Sequence, residues 1–168
     1  LWFKQDDQFG LPKTALYALL RHPAVFASPA QNVAASLYVD LVRDALTEVT
    51  YDATLAGLQW ELNMSADGVD VRVTGFSDKA AVLLQRIVAR LADLQTTPET
   101  FAAVKDRQVR ALRSVAQEKP IWHAGYYAGG LLQERLLHWR EKLAAVDGLD
   151  LDAVMAIGRL ISTEAEIC

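Results

Sequence analysis

Three features of the 168-residue sequence predict an α+β fold, a two-layer sandwich of a mainly antiparallel sheet with helices packed on one face. First, Leu58, Trp60, Leu62 and Met64 alternate with Gln59, Glu61 and Asn63, and Val69, Val71 and Val73 alternate with Asp70 and Arg72. Such alternation puts apolar side chains on one sheet face, and the Asp67-Gly68 step between the runs tolerates the positive φ of a tight turn, so the two form a hairpin. Second, Asn32, Ser36, Asp40, Arg43, Asp44 and Thr47 recur at spacings of three and four in an otherwise apolar run, which is a long helix with a narrow polar stripe. Third, helical patterns follow one another from Asp78 almost to the end. Strands, a long helix, a hairpin and then helices fit a layered α+β domain. No glycine-rich phosphate loop follows any strand, so a doubly wound nucleotide-binding fold does not fit.

In chain order, Leu1–Lys4 is short and aromatic-rich and reads as a first strand. After polar Gln5–Gln8 and the breakers Gly10 and Pro12, Thr14–Leu20 reads as a second. Asp6-Asp7 reads as a turn. The long helix opens at Ser28–Ala30, carries Val33, Leu37, Tyr38, Leu41, Val42, Leu46 and Val49, and stops at Gly57. An apolar surface this broad makes it the central helix. Asp78–Leu94 forms the next helix with Leu84, Ile87, Val88 and Leu91 on its buried stripe. Thr97 with Pro98 and Glu99 then begins another by N-capping, with Phe101, Val104, Ala111, Leu112 and Val115 inward. Pro120 ends that helix or begins the next, Ile121–Trp139, whose Gly125, Gly129 and Gly130 imply compensating close packing. Asp150 caps a last helix bearing Val154, Ile157 and Leu160, and Ala165–Ile167 reads as a final strand.

The hydrophobic fraction of 52% and charged fraction of 23% describe a folded globular chain with one core, and residues 1–168 are read as a single domain. Net charge is −4 and the 17 basic residues are scattered, which disfavours nucleic acid or an anionic membrane as partner. No run approaches the ~18 apolar residues that span a bilayer. The one cysteine, Cys168, cannot form an internal disulfide, so the expected setting is soluble, with the cytoplasm favoured. A start at Leu1 without methionine suggests a fragment of a longer polypeptide.

Catalytic chemistry is hard to assemble. The nearest approach to a helical zinc motif is His138-Trp139-Arg140-Glu141-Lys142, where the fifth position should be a second histidine. A protonated ammonium has no lone pair, so a ligand is missing, and the plainer reading is a surface histidine and a solvated glutamate near a helix end. His22, before Pro23, and His123 lie far apart in sequence. Asp40, Asp44 and Glu48 share a helical face, but with Arg43 beside them they read as a solvated or ion-paired stripe. No Gly-x-Ser-x-Gly elbow is present.

The run Leu-Trp-Phe-Lys-Gln-Asp-Asp-Gln-Phe-Gly-Leu-Pro-Lys (residues 1–13) closely resembles the start of the third, non-catalytic domain of the pitrilysin/insulinase zinc metallopeptidases, the inverzincins. Residues 37–48 resemble that domain's long helix, Gly75-Phe76-Ser77-Asp78-Lys79 its turn into the next helix, and Pro120, His123, Ala124, Tyr126 and Tyr127 its Pro-x-x-His-Ala-x-Tyr-Tyr segment. The resemblance covers nearly the whole chain and weakens after about Leu137.

The resemblance implies four related domains in two halves around a chamber, with zinc in the first domain and none in this one. It implies as partners the other domains of the parent, a peptide substrate reached through the parent's chamber, and homo-oligomers where the parent forms them. No catalytic residue carries over, because this long helix has no His-x-x-Glu-His. His123, Tyr126 and Tyr127 are the candidate chamber-wall or interdomain contacts; packing within a helix pair is the plainer role for them. The expected function is a structural, substrate-chamber domain of a peptide-degrading metalloendopeptidase. The alternative is an independent protein-binding module of the same fold.

Overall fold

The computed structural model describes residues 2–65, 67–132 and 137–168. Strand β1 (Lys13–Arg21) leads through a 3-10 turn (Pro23–Phe26) into helix α1 (Pro29–Leu55), followed by β2 (Gln59–Met64) and β3 (Val69–Phe76). Helices α2 (Ser77–Ala92), α3 (Pro98–Ser114), α4 (Pro120–Leu132), α5 (Trp139–Val146) and α6 (Leu151–Thr163) come next, then a two-residue strand β4 (Glu166–Ile167). The four strands form one sheet in the order β2-β3-β1-β4, antiparallel at every pairing.

The register follows from the alternation. Trp60, Val73 and Leu16 stand in one rung, Leu62, Val71 and Ala18 in the next, and Met64, Val69 and Leu20 in the third. All of these turn toward the helices, whereas Gln59, Glu61 and Asn63 are exposed. Because the period of a strand is two, a one-residue slip would bury those three polar groups, so the register is fixed. On the outer face Arg72 reaches across to Glu61 and lies 5.0 Å from the centre of the Tyr17 ring.

Helix α1 is the axis of the core. Ser28 caps it by accepting from the Gln31 N–H, with Pro29 at the first helical position, where a missing N–H costs nothing. It stops in a Schellman arrangement: Leu58 N–H donates to the Ala53 carbonyl, Gly57 N–H donates to that of Thr54, and Gly57 takes φ +82°. Val33, Leu37, Leu41, Val42 and Leu46 are fully buried, in a helix packed against the sheet, α2, α5 and α6. Tyr38 ties three helices together: its hydroxyl donates to the Leu91 carbonyl at 2.6 Å, and its ring lies where a side chain at Gly158 of α6 would be. Burial, with a smaller contribution from Asp93, pushes the Tyr38 hydroxyl up to about 12.

Some expectations change. Trp2–Lys4 lie outside the sheet, with Trp2 97% and Phe3 84% exposed, because no strand of the described chain stands beside them; Leu1 is outside the described residues. Val88 is exposed, and Ala80, Leu83, Ile87 and Leu91 form the buried stripe of α2. In α3 only Val104 is fully buried and Ala111 is exposed. That helix touches α1 and α5 along one edge and holds partly by polar links: Lys105 Nζ donates to the carbonyls of Asp147 and Leu149, and Gln108 Nε2 to Ser36 Oγ. The helix expected over 121–139 is two helices, with Leu137 and His138 non-helical and residues 133–136 outside the described set. Gly125 and Gly129 do not lie in close packing among the described residues, since a Cβ at either would meet none of them within 4 Å.

Candidate functional site

The near-motif His138-x-x-Glu141 acquires a structural explanation. His138 is the N-cap of α5: its Nδ1 accepts from the Arg140 N–H at 3.2 Å, and the Glu141 carboxylate accepts from the His138 N–H at 3.1 Å. A polar acceptor followed three residues later by glutamate is a capping box, and its spacing equals that of the first two positions of a zinc helix. The Glu141 carboxylate and the Nδ1 of His138 are thereby committed to the backbone. At the fifth position, burial holds the Lys142 ammonium below its usual range. The residues at this place do not fit a zinc ion, and among the described residues no three of His, Cys, Asp and Glu gather closely enough to hold one. His22 is likewise a cap, its Nδ1 accepting from the Ala24 N–H and its Nε2 lying 3.9 Å from the Glu164 carboxylate.

Two of the three acids on the α1 stripe are ion-paired. Asp40 lies 2.7 Å from Arg43, and Asp44 lies 4.0 Å from Arg107 of α3. Burial raises the Asp40 carboxyl above its ordinary value, with Arg43 and then Arg107 opposing that rise. The groove there, about 330 Å³ and shared with Trp60, carries both signs of charge. Glu48 is exposed beside Tyr51 and Asp52.

His123, Tyr126 and Tyr127 come together with His138 and two tryptophans. Proline starts α4 at Pro120, and spacings of three and four then bring His123, Tyr126 and Tyr127 to one side. Tyr126 is the bracket: its hydroxyl accepts from the Trp139 N–H at 3.0 Å and donates to the Leu137 carbonyl at 3.3 Å, so it satisfies a free donor in the first turn of α5. Because Nδ1 of His138 is an acceptor, the neutral ring carries its proton on Nε2, which faces the Tyr127 hydroxyl at 3.5 Å. Trp122 stacks on Tyr126 with ring centres 5.1 Å apart, and His138 on Tyr127 at 5.8 Å. The ladder is half open to solvent, with Trp122 41% and Tyr127 48% exposed. Sequence reasoning named the two tyrosines and His123 but missed Trp122 and the capping role of His138; the signal was the aromatic spacing 122, 126 and the capping spacing 138, 141. Chemically, the cluster offers stacking faces, a phenol and an imidazole edge.

Helix α4 is otherwise unusual. None of its residues is buried, and glycine at 125, 129 and 130 each costs about 1 kcal/mol of helix propensity relative to alanine.

Comparison with known proteins gives a consistent result. Residues 1–145 match the family described as the middle or third domain of peptidase M16. The chain is 35% identical to insulin-degrading enzyme of Homo sapiens over 163 residues, which is 96% of this chain and 16% of that protein. It is 33% identical to insulin-degrading enzyme of Drosophila melanogaster over 155 residues, 92% of this chain and 16% of that one. Among solved structures it is similar in fold to the crystal structure of pitrilysin, with a TM-score of 0.86 and 20% identity over 93% of this chain and 16% of that one. The chain thus spans about one sixth of the length of these relatives.

Proposed function

The chain belongs to the family of middle or third domains of M16 peptidases, and from that premise we propose that it is a non-catalytic structural domain of a zinc metalloendopeptidase that degrades peptides. Residues 1–168 act as one domain of a four-domain parent and line part of its substrate chamber, while zinc and the hydrolytic water belong to another domain. His123, Tyr126 and Tyr127 serve at the chamber wall or against a neighbouring domain. The observation that carries this reading is the fate of the only near-motif. The Nδ1 of His138 and the carboxylate of Glu141 cap α5, and Asp40 and Asp44 of the central helix pair with Arg43 and Arg107. A chamber wall contributes enclosure and orientation of the substrate, which accelerate a reaction only where a metal-activated water is also at hand.

The test is an assay of the isolated chain with a fluorogenic peptide and added zinc, alongside elemental analysis. The expected result is no chelator-sensitive hydrolysis and no stoichiometric zinc. Peptide cleavage abolished by a chelator, or one zinc per chain lost in His138→Ala, overturns the reading.

A further inference from the structure

Helix α4 turns two faces to two different surroundings. One, carrying His123, Tyr126 and Tyr127, meets Leu137, His138 and Trp139 through the bonds and stacks described above. The other is the stripe Ile121, Ala124, Gly125, Ala128, Leu131 and Leu132, exposed throughout, with Ile121 at 78%, Leu131 at 89% and Leu132 at 86%. Helices that face water ordinarily carry charge on that side. From Pro120 to Leu132 there is no Asp, Glu, Lys or Arg. Glycine at 125 disfavours the helix, yet a Cβ there would meet nothing within 4 Å, so nothing among the described residues calls for its small size. An uncharged, apolar outer stripe with an uncrowded glycine at its centre is what a second body packed close to the helix backbone requires. The chain spans only 16% of its curated relatives, so most of such a polypeptide lies outside it.

We propose that this stripe of α4 seats another domain of the same parent polypeptide, whose contact surface is apolar, uncharged and close enough to touch the backbone at Gly125. The inference rests on the proposed reading of the chain as one domain of a longer peptidase. It adds an assembly role for the outward face of α4 to the roles of the inward one.

Amide hydrogen exchange of α4, measured in the isolated chain and in the full-length polypeptide that carries it, decides the matter. The expected result is exchange at least tenfold slower in the full-length protein. Gly125→Leu should leave the melting temperature of the isolated chain unchanged or higher, because the space is open and leucine favours helix. In the full-length protein it should abolish the protection of α4. Equal exchange of α4 in both proteins overturns the proposal, whatever the variant does. A self-associating isolated chain whose α4 is protected, and which Ile121→Ser returns to monomer, also overturns it, by making a second copy the occupant. The peptidase assay of the isolated chain reads separately: hydrolysis there would sink the non-catalytic reading and leave the α4 result standing.

Discussion

Helices α1 and α4 are both apolar, and they have opposite fates. Along α1, packed against the sheet, α2, α5 and α6, Leu37, Leu41 and Leu46 are no more than 1% exposed. Along α4 no side chain is buried, and its leucines at 131 and 132 stand almost wholly in solvent. The pattern of a helix therefore says that it is to be covered; it does not say by which chain or domain. Trp2, Phe3, Phe9 and Leu11, all more than half exposed ahead of β1, teach the same lesson from the other end of the chain.

The largest expected effect lies in the α1 core. Leu41→Ala should lower the unfolding free energy by about 2–5 kcal/mol, through lost burial and the cavity left between α1 and its neighbours. Urea denaturation followed by circular dichroism measures it, and a loss below about 1 kcal/mol would mean that the core relaxes around the gap and that the contrast with α4 is weak.

Next comes Gly158→Ala, an added methyl in the same core. Its Cβ would collide with the Tyr38 ring, so ring or helix must shift, at about 1–3 kcal/mol. Combining it with Tyr38→Leu should cost less than the sum of the two single changes, because the smaller side chain vacates the space the methyl needs. Additive losses in a double-mutant cycle would mean that the two residues do not share that space.

Much of this core was legible in the sequence. The alternation at 58–64 and 69–73 gave strands, faces and register, and Ser28-Pro29, Thr97-Pro98 and Asp150 marked helix starts that the structure uses. Glu166–Ile167 pairs with β1 where a final strand was expected. What misled was burial that depends on an absent neighbour. The aromatic run at the start has strand composition but no strand beside it among the described residues, and the apolar face assigned to α3 is wider than the edge that touches α1 and α5. Gly125 and Gly129 implied packing that the described residues do not supply. At the candidate site the residue types of His138-x-x-Glu141 were plain, but a capping box and two-thirds of a zinc motif share one spacing. Only the backbone hydrogen bonds tell them apart.

Between the two regions, α5 offers an intermediate case. His138→Ala removes the side-chain acceptor of its N-cap and should cost about 1 kcal/mol. The local effect should exceed the global one, seen as faster hydrogen exchange at the first turn of α5 and a disturbed aromatic signal from Tyr127. An unchanged first turn would show that the Tyr126 hydroxyl alone holds it.

The pH dependence of Asp40 should be smaller again, and its sign is fixed. Burial raises its folded value above the ordinary 3.8, so the native state binds the proton more tightly than the unfolded state. Its contribution is most favourable below pH 3.8 and is lost as pH rises through the raised folded value. Asp40→Asn should flatten that limb of the stability curve, and a variant whose urea midpoints between pH 3 and 7 parallel the wild type would show that the Arg43 pairing cancels the effect of burial.

The smallest expected effect is the counterpart of the largest. Ile121→Ser on α4 removes a large apolar side chain, as Leu41→Ala does on α1, but from a position 78% exposed. Isoleucine and serine have nearly equal helix propensity, so the substitution isolates the value of burial at that site. In the isolated chain that value is close to nothing, and the unfolding free energy should stay within about 0.5 kcal/mol of wild type. Both variants belong in the same urea series, because the comparison lies in their difference. A loss of about 2 kcal/mol or more at Ile121 would show α4 folded onto the core in solution, and the two helices would then differ in degree and no longer in kind.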